Sequence, residues 1–526
     1  MSKIMTARQA VRLLRDGDTV AVSGFGAYCP PDALYHALSD RFMEEGHPAG
    51  LTLVAGICNG DNTWSRRGLN LLAKDGLLET VIAAHMGNSP GISQLIAEER
   101  CAGYALPLGV LANLIKASAA GRSGFLTRVG LGTFADPRQE GCCLNRRARE
   151  QGHTVVELTE LGGGEQLFYP AFPIHACLIR GTWADEDGNI SVAKEPLTGL
   201  DLEMAEAVHK TGGVVIVQVE KIVARSSIHP RQVRIHHSLV DAVVVAPAEL
   251  HRQCYGIEGY LPEITGEVRC PADAIAPMEM GIRKVIARRA AMELQRDTVV
   301  NLGIGLPSGV GSVANEEGIG DWMTLSLESG PIGGVPLEGL GFAGAVNPES
   351  IPCIGDVFDL YDGGFLNQTF LGAAEVDEKG NVNVSRYGSR CTGPGGFINI
   401  SQNTKTVCFL LSFTAGKSEI AISDGQLRIV SDGEMVKFKR RVQQITFSAD
   451  YARENGQRVL YITERAVFRL GTHGLELIEL APGVDLERDV LSHMEFRPEI
   501  GPEVREMDPR IFRDRVMGLA EMRCGE

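Results

Sequence analysis

The segment around Glu328 combines a carboxylate with an unusual density of glycine and proline. It reads Leu325-Ser326-Leu327-Glu328-Ser329-Gly330-Pro331-Ile332-Gly333-Gly334, so an apolar, strand-like approach ends at the glutamate. Glycine allows close backbone approach and leaves N–H groups that can face a developing oxyanion. Glu328 could therefore be a nucleophilic carboxylate. The residues alone equally allow a solvated glutamate that opens a surface turn.

Three further glycine-rich segments could bind anions. Cys391-Thr392-Gly393-Pro394-Gly395-Gly396-Phe397 lies between strand-like runs, and it is either a set of N–H donors or a plain loop. The turns Gly24-Phe25-Gly26 and Gly303-Ile304-Gly305 end strands and precede helices, which suits phosphate or carboxylate. Cys29 and Ser308 replace the third glycine of a dinucleotide fingerprint. Tight turns required for packing are the alternative.

The residue spacing gives no support for a metal centre. The 12 histidines form no HxxxH or HExxH pattern. We therefore predict that no metal is bound, and that isolated histidines such as His85 are packed or surface residues.

The elements that must position these groups follow an α/β pattern. Continuous β-branched runs, such as Val214–Val217 and Ala242–Ala246, alternate with helical stretches and predict parallel strands covered on both faces. The chain also resembles itself: Asp18–Gly26 is echoed by Asp297–Gly305, and Asp187–Ser191 by Lys379–Asn383. Two echoes in the same order predict duplicated α/β halves.

The joint between these halves is predicted near Pro262–Pro277, a proline-containing stretch before the second half's opening helix. We accordingly assign residues 1–270 to an N-terminal domain and residues 271–526 to a C-terminal domain.

Composition limits the class of function. Of 526 residues, 51 are Lys or Arg and 66 are Asp or Glu, giving a net charge of −15. This balance argues against nucleic-acid and anionic-membrane surfaces. Twelve cysteines without a CxxC pair indicate reduced thiols in a cytoplasmic protein. We identify no apolar run of about 18 residues and no signal or transit segment.

Taken together, the motifs resemble the family I CoA-transferases of the fused, single-chain type, especially the bacterial acetate and propionate CoA-transferases. The resemblance covers roughly residues 5 to 515. Its marks beyond the glycine-rich segments are Gly130-Leu131-Gly132-Thr133-Phe134-Ala135-Asp136-Pro137-Arg138, Asp187-Gly188-Asn189-Ile190, Asn301-Leu302-Gly303-Ile304-Gly305-Leu306-Pro307, Tyr361-Asp362-Gly363-Gly364, Gly380-Asn381-Val382-Asn383-Val384-Ser385 and Tyr461-Ile462-Thr463-Glu464-Arg465.

The resemblance implies two related, open, mostly parallel α/β domains with the active site between them. It implies that Glu328 is the catalytic nucleophile and that the N–H groups of Gly395 and Gly396 help form an oxyanion hole. Asn301, Gly303 and Gly305 are then expected to contact CoA or the substrate carboxylate. Leu108 occupies a place where the ketoacid branch carries Gln, which argues against 3-oxo acids.

The implied activity is transfer of CoA between short-chain acyl-CoA and free acids such as acetate, propionate and butyrate. The path is ping-pong, through a glutamyl-CoA thioester on Glu328. The alternatives are an acyl-CoA hydrolase that uses the same intermediate and a non-catalytic CoA-binding protein. CoA is a substrate here, no cofactor is expected, and the family suggests a homodimer or homotetramer.

Overall fold

The computed structural model describes residues 3–271 and 278–522. The chain contacts separate two compact units. The first contains Met1–Cys270, Leu327–Leu360 and Ser385–Asn399, and the second contains Pro271–Ser326, Tyr361–Val384 and Ile400–Glu526. Part of the predicted joint, residues 272–277, lies outside the described residues. The domain assignment 1–270 and 271–526 stays a prediction.

The first unit is built on a seven-stranded sheet in which every pair of neighbouring strands is parallel. Most of its side chains are buried, as expected for continuous apolar strands covered on both faces. In sheet order the strands are Ala242–Val245, Val214–Val219, Ala176–Arg180, Thr19–Val22, Leu51–Ile57, Leu78–His85 and Ala102–Ala105.

Two helices of the first unit begin at side-chain caps. Thr6 and Gln9 form a capping box at the first helix, and Asn145 accepts the N–H of Ala148 at another. The helices of this unit are Ala7–Ala10, Asp32–Glu45, Pro90–Ala97, Leu108–Ala119, Arg146–Gln151 and Asp201–Thr211. Smaller sheets are formed by Gly124–Thr127, Glu157–Leu161 and Gly164–Pro170, and by Trp183–Asp185, Ile190–Ser191, Lys221–Val223 and Val233–Ile235.

The second unit is built on an eight-stranded mixed sheet. Its first five strands are parallel, the next two connections are antiparallel, and the last pair is parallel. In sheet order the strands are Met323–Leu325, Thr298–Leu302, Gln368–Gly372, Thr406–Leu410, Arg458–Ile462, Ala466–Leu470, Leu475–Leu480 and Glu499–Glu506. The helices of the remaining chain are Ile282–Ala291, Ser308–Glu316, Ile354–Asp362, Phe397–Asn403, Ala449–Glu454 and Leu519–Met522.

The two large sheets share a topology, which confirms that the chain contains two related α/β halves. The first sequence echo corresponds to the strands Thr19–Val22 and Thr298–Leu302. These two strands occupy equivalent places in their sheets. In each sheet, the strand that follows the echo strand directly lies on one side, and the first three strands on the other side all come later in the chain and are parallel to it. Five strands of each sheet therefore correspond.

The second sequence echo is a repeated turn. Asp185 Oδ1 accepts the N–H of Asn189 at 2.9 Å, and Asp377 Oδ1 accepts the N–H of Asn381 at 2.9 Å. Each asparagine side chain also donates to the other oxygen of its aspartate, at 2.9 and 3.0 Å. The Gly-Asn pattern in the sequence therefore marks an aspartate-stabilised turn in both halves.

No helix within residues 3–271 and 278–522 has both the length and the apolar character that crossing a membrane requires.

Candidate active site

The strand before Glu328 is fixed by its neighbour in the second unit. Ser326 N–H donates to the carbonyl of Val300 at 3.0 Å, which extends the parallel pairing of Met323–Leu325 by one residue. The side-chain amide of Asn301 returns a hydrogen bond to the carbonyl of Ser326 at 2.9 Å. These two contacts set the course of the chain two residues before Glu328.

Glu328 itself lies in a closed turn of the first unit. Leu327 N–H donates to the carbonyl of Pro331 at 2.9 Å, and Gly330 N–H donates to the carbonyl of Leu327 at 3.1 Å. The buried Ser329 hydroxyl donates to the carbonyl of Ala343 at 2.6 Å. Gly330 has a φ of 134°, a conformation that favours glycine. The Gly-Pro cluster therefore shapes a turn that holds the glutamate side chain in one place.

The second glycine-rich segment is anchored within the first unit. Gly395 N–H donates to the carbonyl of Ala84 at 2.9 Å, and the Gly395 carbonyl accepts the N–H of Leu108 at 2.9 Å. Met86 N–H donates to the carbonyl of Thr392 at 2.7 Å. The N–H of Gly395, predicted as an oxyanion donor, is thus committed to Ala84. Its φ of 55° turns the chain so that the next residue meets Glu328.

Gly396 makes the central contact of the site. Its N–H donates a hydrogen bond to the Glu328 carboxylate. A Cβ atom built on Gly396 would lie 1.9 Å from Glu328 Oε2, so the glutamate approaches more closely than any other residue type would allow. The structure therefore brings together two residues that are far apart in the sequence.

The surroundings of Glu328 favour its neutral form. Removal of water by the surrounding protein raises its pKa to about 7, against the lowering effect of the Gly396 hydrogen bond. The residue as a whole nevertheless retains partial exposure to solvent. A carboxylate with this pKa is available as a base or nucleophile near neutral pH, and it remains accessible to a ligand.

Apolar side chains form the walls beside this contact. The Phe358 ring is fully buried, and its Cζ lies 2.8 Å from the position of a Cβ built on Gly396. Ile57 Cδ1 lies 3.6 Å from a Cβ built on Gly395. Leu108, where the sequence lacks a polar residue, is 2 % exposed, and its backbone contacts the glycine-rich segment. Phe358 is therefore an apolar neighbour of Glu328, and Ile57 and Leu108 are apolar neighbours of the segment at Gly395.

His85, which the sequence analysis placed among the packed or surface histidines, lies beside the glycine-rich segment at Gly393. Its Nδ1–H donates to the carbonyl of Gly393 at 3.3 Å, and burial is the main cause of its lowered pKa. The imidazole is neutral at physiological pH as a result. Its place at the end of the strand Leu78–His85 was the available signal, since ligands of parallel sheets bind at the carboxyl ends of strands.

The turn predicted to contact CoA belongs to the second unit, whereas Glu328, Gly395 and Gly396 belong to the first. Asn301 is buried, and its side-chain amide is occupied by Ser326. Gly303 N–H donates to the carbonyl of Phe370 at 2.8 Å. Gly305 is exposed, with a φ of 86° and no atom within 4 Å of a Cβ built on it.

In the part of the chain that the structure describes, no group of three or more His, Cys, Asp or Glu side chains is arranged to hold a metal ion. The cysteines of the same part are free thiols, and most of them are buried.

Comparison with known proteins agrees with this geometry. The model of the family "Coenzyme A transferase" matches residues 4–246. Caffeate CoA-transferase of Acetobacterium woodii is 43 % identical over 526 residues, which is 99 % of each chain. Acetate CoA-transferase YdiF of Escherichia coli (strain K12) is 39 % identical over 517 residues, covering 98 % of this chain and 96 % of the relative.

A solved structure shows the same fold over the whole chain. The acyl-CoA transferase YdiF of Escherichia coli O157:H7, in a thioester complex with CoA, superposes with a TM-score of 0.91 at 38 % identity. The match covers 98 % of this chain and 97 % of the other. Since whole-chain relatives exceed 30 % identity and the fold agrees throughout, the chain belongs to the coenzyme A transferase family.

Proposed function

We propose that this enzyme transfers CoA between short-chain acyl-CoA and free monocarboxylic acids, with Glu328 as the covalent nucleophile. The observation that carries the proposal is the hydrogen bond from Gly396 N–H to a desolvated Glu328 carboxylate whose pKa is about 7. Whole-chain relatives named CoA-transferases and a related structure described as a thioester complex with CoA support it.

The proposed path conserves the energy of the thioester. The Glu328 carboxylate attacks the carbonyl carbon of acyl-CoA and expels the CoA thiolate, which gives an acyl-glutamyl anhydride. The thiolate then attacks the glutamyl carbonyl and releases the first acid, leaving a glutamyl-CoA thioester. An incoming carboxylate reverses these steps and leaves as its CoA ester. Two easier steps replace one direct exchange between substrates.

Within this path we assign the oxyanion contact to Gly396. Its N–H already donates to an oxygen of Glu328, and each attack places negative charge on an oxygen close to this position. Gly395 shapes the loop instead, because its own N–H is bonded to Ala84. The two predicted glycines thus act differently in the same segment.

The acids that fit best are monocarboxylates with an apolar body. Phe358 lies beside Glu328, and Leu108 and Ile57 lie beside Gly395. The pKa of Glu328 is set by desolvation and the Gly396 N–H rather than by a neighbouring cation. A second substrate carboxylate would be buried there without a partner, which is costly. The relatives named for acetate and caffeate agree with this range.

The CoA side of the site is a separate proposal. We assign CoA or carboxylate contact to the turn Asn301–Gly305 through the exposed backbone at Gly305. Asn301 and Gly303 support the turn, since their amide and N–H are bonded to Ser326 and Phe370. Backbone N–H groups at the start of the following helix, Ser308–Glu316, suit an anionic group.

We further propose that transfer needs neither a metal nor a redox cofactor, that the enzyme is cytoplasmic, and that it forms a homodimer or homotetramer. The unpaired cysteines support a reducing compartment. Dialysis against a chelator should leave the rate unchanged, and restoration of a lost rate by zinc or magnesium would contradict this. Light scattering of the purified chain would establish its subunit number.

The test of the function is a panel of carboxylate acceptors assayed with acetyl-CoA. Transfer to acetate-, propionate- and butyrate-sized acids is expected, with little release of free CoA when no acceptor is present. Release of CoA at the same rate without an acceptor would indicate a hydrolase. Glu328→Gln should lose transfer by about 10⁴-fold or more, as for other covalent nucleophiles. Glu157→Gln, at an exposed glutamate of the strand Glu157–Leu161, is the matched control and should retain activity.

A further inference from the structure

We propose that Phe358 excludes water from the acylated side of Glu328 and thereby determines whether the enzyme transfers CoA or hydrolyses it. This inference rests on the proposed function, since it needs a covalent intermediate on Glu328. Phe358 is then a specificity-determining residue that discriminates against water as the acceptor rather than among carboxylic acids.

The position of the ring is defined by two glycines. Phe358 Cζ lies 2.8 Å from a Cβ built on Gly396, and the same point lies 1.9 Å from Glu328 Oε2. The ring edge and the reacting carboxylate are therefore close neighbours. On its other side, Phe358 Cδ1 lies 2.8 Å from a Cβ built on Gly109. Only glycine at positions 109 and 396 leaves room for a ring in this place.

The helix that carries Phe358 is tied to the helix that begins at Leu108. Lys116 Nζ lies 2.9 Å from Asp359 Oδ2 and 3.4 Å from Asp356 Oδ1. Asn113 Nδ2 donates to Asp359 Oδ1 at 3.0 Å. Partly exposed ion pairs of this kind contribute little to overall stability. Their effect is to hold the ring against Gly109 and Gly396.

Hydrolysis of the glutamyl-CoA thioester is the competing reaction, and it explains why water must be excluded at this position. Water attack on the glutamyl-CoA thioester forms a C–O bond at Cδ of Glu328 and breaks the Cδ–S bond. One proton of the water ends on the CoA sulfur, and the regenerated carboxyl group loses the other to solvent. Both transfer and hydrolysis use the same electrophilic carbon. Exclusion of water from the face next to that carbon therefore decides between them.

Simple core packing predicts a different outcome. Phe358 is fully buried, so its truncation should lower the stability of the folded protein in either case. A packing role alone would leave the ratio of hydrolysis to transfer unchanged in the molecules that remain folded. That ratio, and the lifetime of the charged enzyme, therefore separate the two roles.

The experiment follows the decay of charged enzyme. Wild type, Phe358→Leu and Phe358→Ala are incubated with acetyl-CoA, freed of excess substrate, and analysed by intact-mass spectrometry over time without an acceptor acid. The adduct should decay about tenfold faster in Phe358→Ala, the equivalent of about 1.4 kcal/mol in barrier height. Phe358→Leu should decay at an intermediate rate. Phe409→Leu, which shortens another fully buried ring, should decay like wild type.

A second route tests the inference if Phe358→Ala fails to fold. Lys116→Met removes the ion pairs to Asp356 and Asp359 without touching the ring, and it should also shorten the lifetime of the adduct. Wild-type decay in folded, fully charged Phe358→Leu would overturn the inference. The absence of any adduct on Glu328 in wild type would instead overturn the proposed function.

Discussion

The main-chain N–H of Gly396 donates to the carboxylate of Glu328, although 67 residues separate them in the chain. The contact is possible because Gly396 has no side chain: a Cβ there would lie 1.9 Å from Glu328 Oε2. A backbone donor cannot be removed by changing a side chain, but it can be displaced. The glycine is therefore the point at which the proposed oxyanion contact can be tested.

Gly396→Ala should reduce transfer by about 10²- to 10³-fold, the loss expected when one oxyanion donor is removed. The added methyl group must push either Glu328 or the loop away, which breaks the hydrogen bond and moves the nucleophile. Steady-state rates with acetyl-CoA and propionate measure the loss.

Gly164→Ala is the matched control for this substitution. A Cβ built on Gly164 has no atom within 4 Å, and the residue is exposed. This variant should keep wild-type activity and should change stability by only about 1 kcal/mol or less. Full activity in Gly396→Ala would remove this N–H from the mechanism.

The rate of enzyme charging should rise with pH and reach half its limit near pH 7. The nucleophile is the carboxylate form of Glu328, and desolvation raises its pKa to about 7. The first half-reaction, measured by rapid mixing with acetyl-CoA at several pH values, reports this ionisation in the free enzyme. An acid limb centred near pH 4 to 5 would show that water reaches the carboxylate freely.

The same ionisation should appear in the stability of Glu328→Gln. The pKa of Glu328 is raised on folding, so its stabilising contribution is complete below the ordinary glutamate pKa of 4.5 and is lost as pH rises through about 7. Glutamine resembles the neutral form at every pH. The variant should therefore gain stability relative to wild type between pH 5 and pH 8, by no more than about 3 kcal/mol. Urea unfolding at the two pH values measures the difference.

The parallel sheets were predictable because their evidence is local. The strand Val214–Val219 is apolar almost throughout, and the two Gly-Asn turns carry their own aspartate partners nearby. The duplication was visible for the same reason, since each echo marks a strand or turn that recurs in both halves. Local sequence patterns were therefore enough to predict the α/β fold class and the duplication of the two halves.

The site was only partly predictable, because its main contacts are long-range. Glu328 and Gly396 stood out through their glycine-rich settings. Phe358 did not, because nothing in the sequence of its helix reveals what the fold brings beside it, and His85 was noted only as a packed or surface histidine. The commitment of Gly395 N–H to Ala84 was equally hidden, because it depends on a contact between residues 311 positions apart.

Asn301→Ala should lower kcat more than it raises the KM for acyl-CoA. The Asn301 amide donates to the carbonyl of Ser326, two residues before Glu328, and its loss leaves a buried carbonyl unpaired. Such a loss costs about 1 to 3 kcal/mol of stability. Thermal unfolding and steady-state kinetics measure both effects. A pure increase in KM with unchanged stability would indicate direct contact between Asn301 and CoA.

Incubation with acyl-CoA alone should convert the enzyme to a stable covalent form. The first half-reaction needs no acceptor acid, so the kinetics should be ping-pong, and the adduct should have the mass of one CoA less one water. Peptide mapping should place it on the segment that contains Glu328, and Glu328→Gln should show none. Borohydride should inactivate the charged enzyme by reducing the thioester and should spare the uncharged one. Prior addition of an acceptor acid should discharge the enzyme and protect it.

Most of the described cysteines are buried, and burial raises the pKa of thiols such as Cys58 to about 12, so they are poor competitors for acyl transfer. An adduct on one of those cysteines instead of Glu328 would exclude the glutamate mechanism.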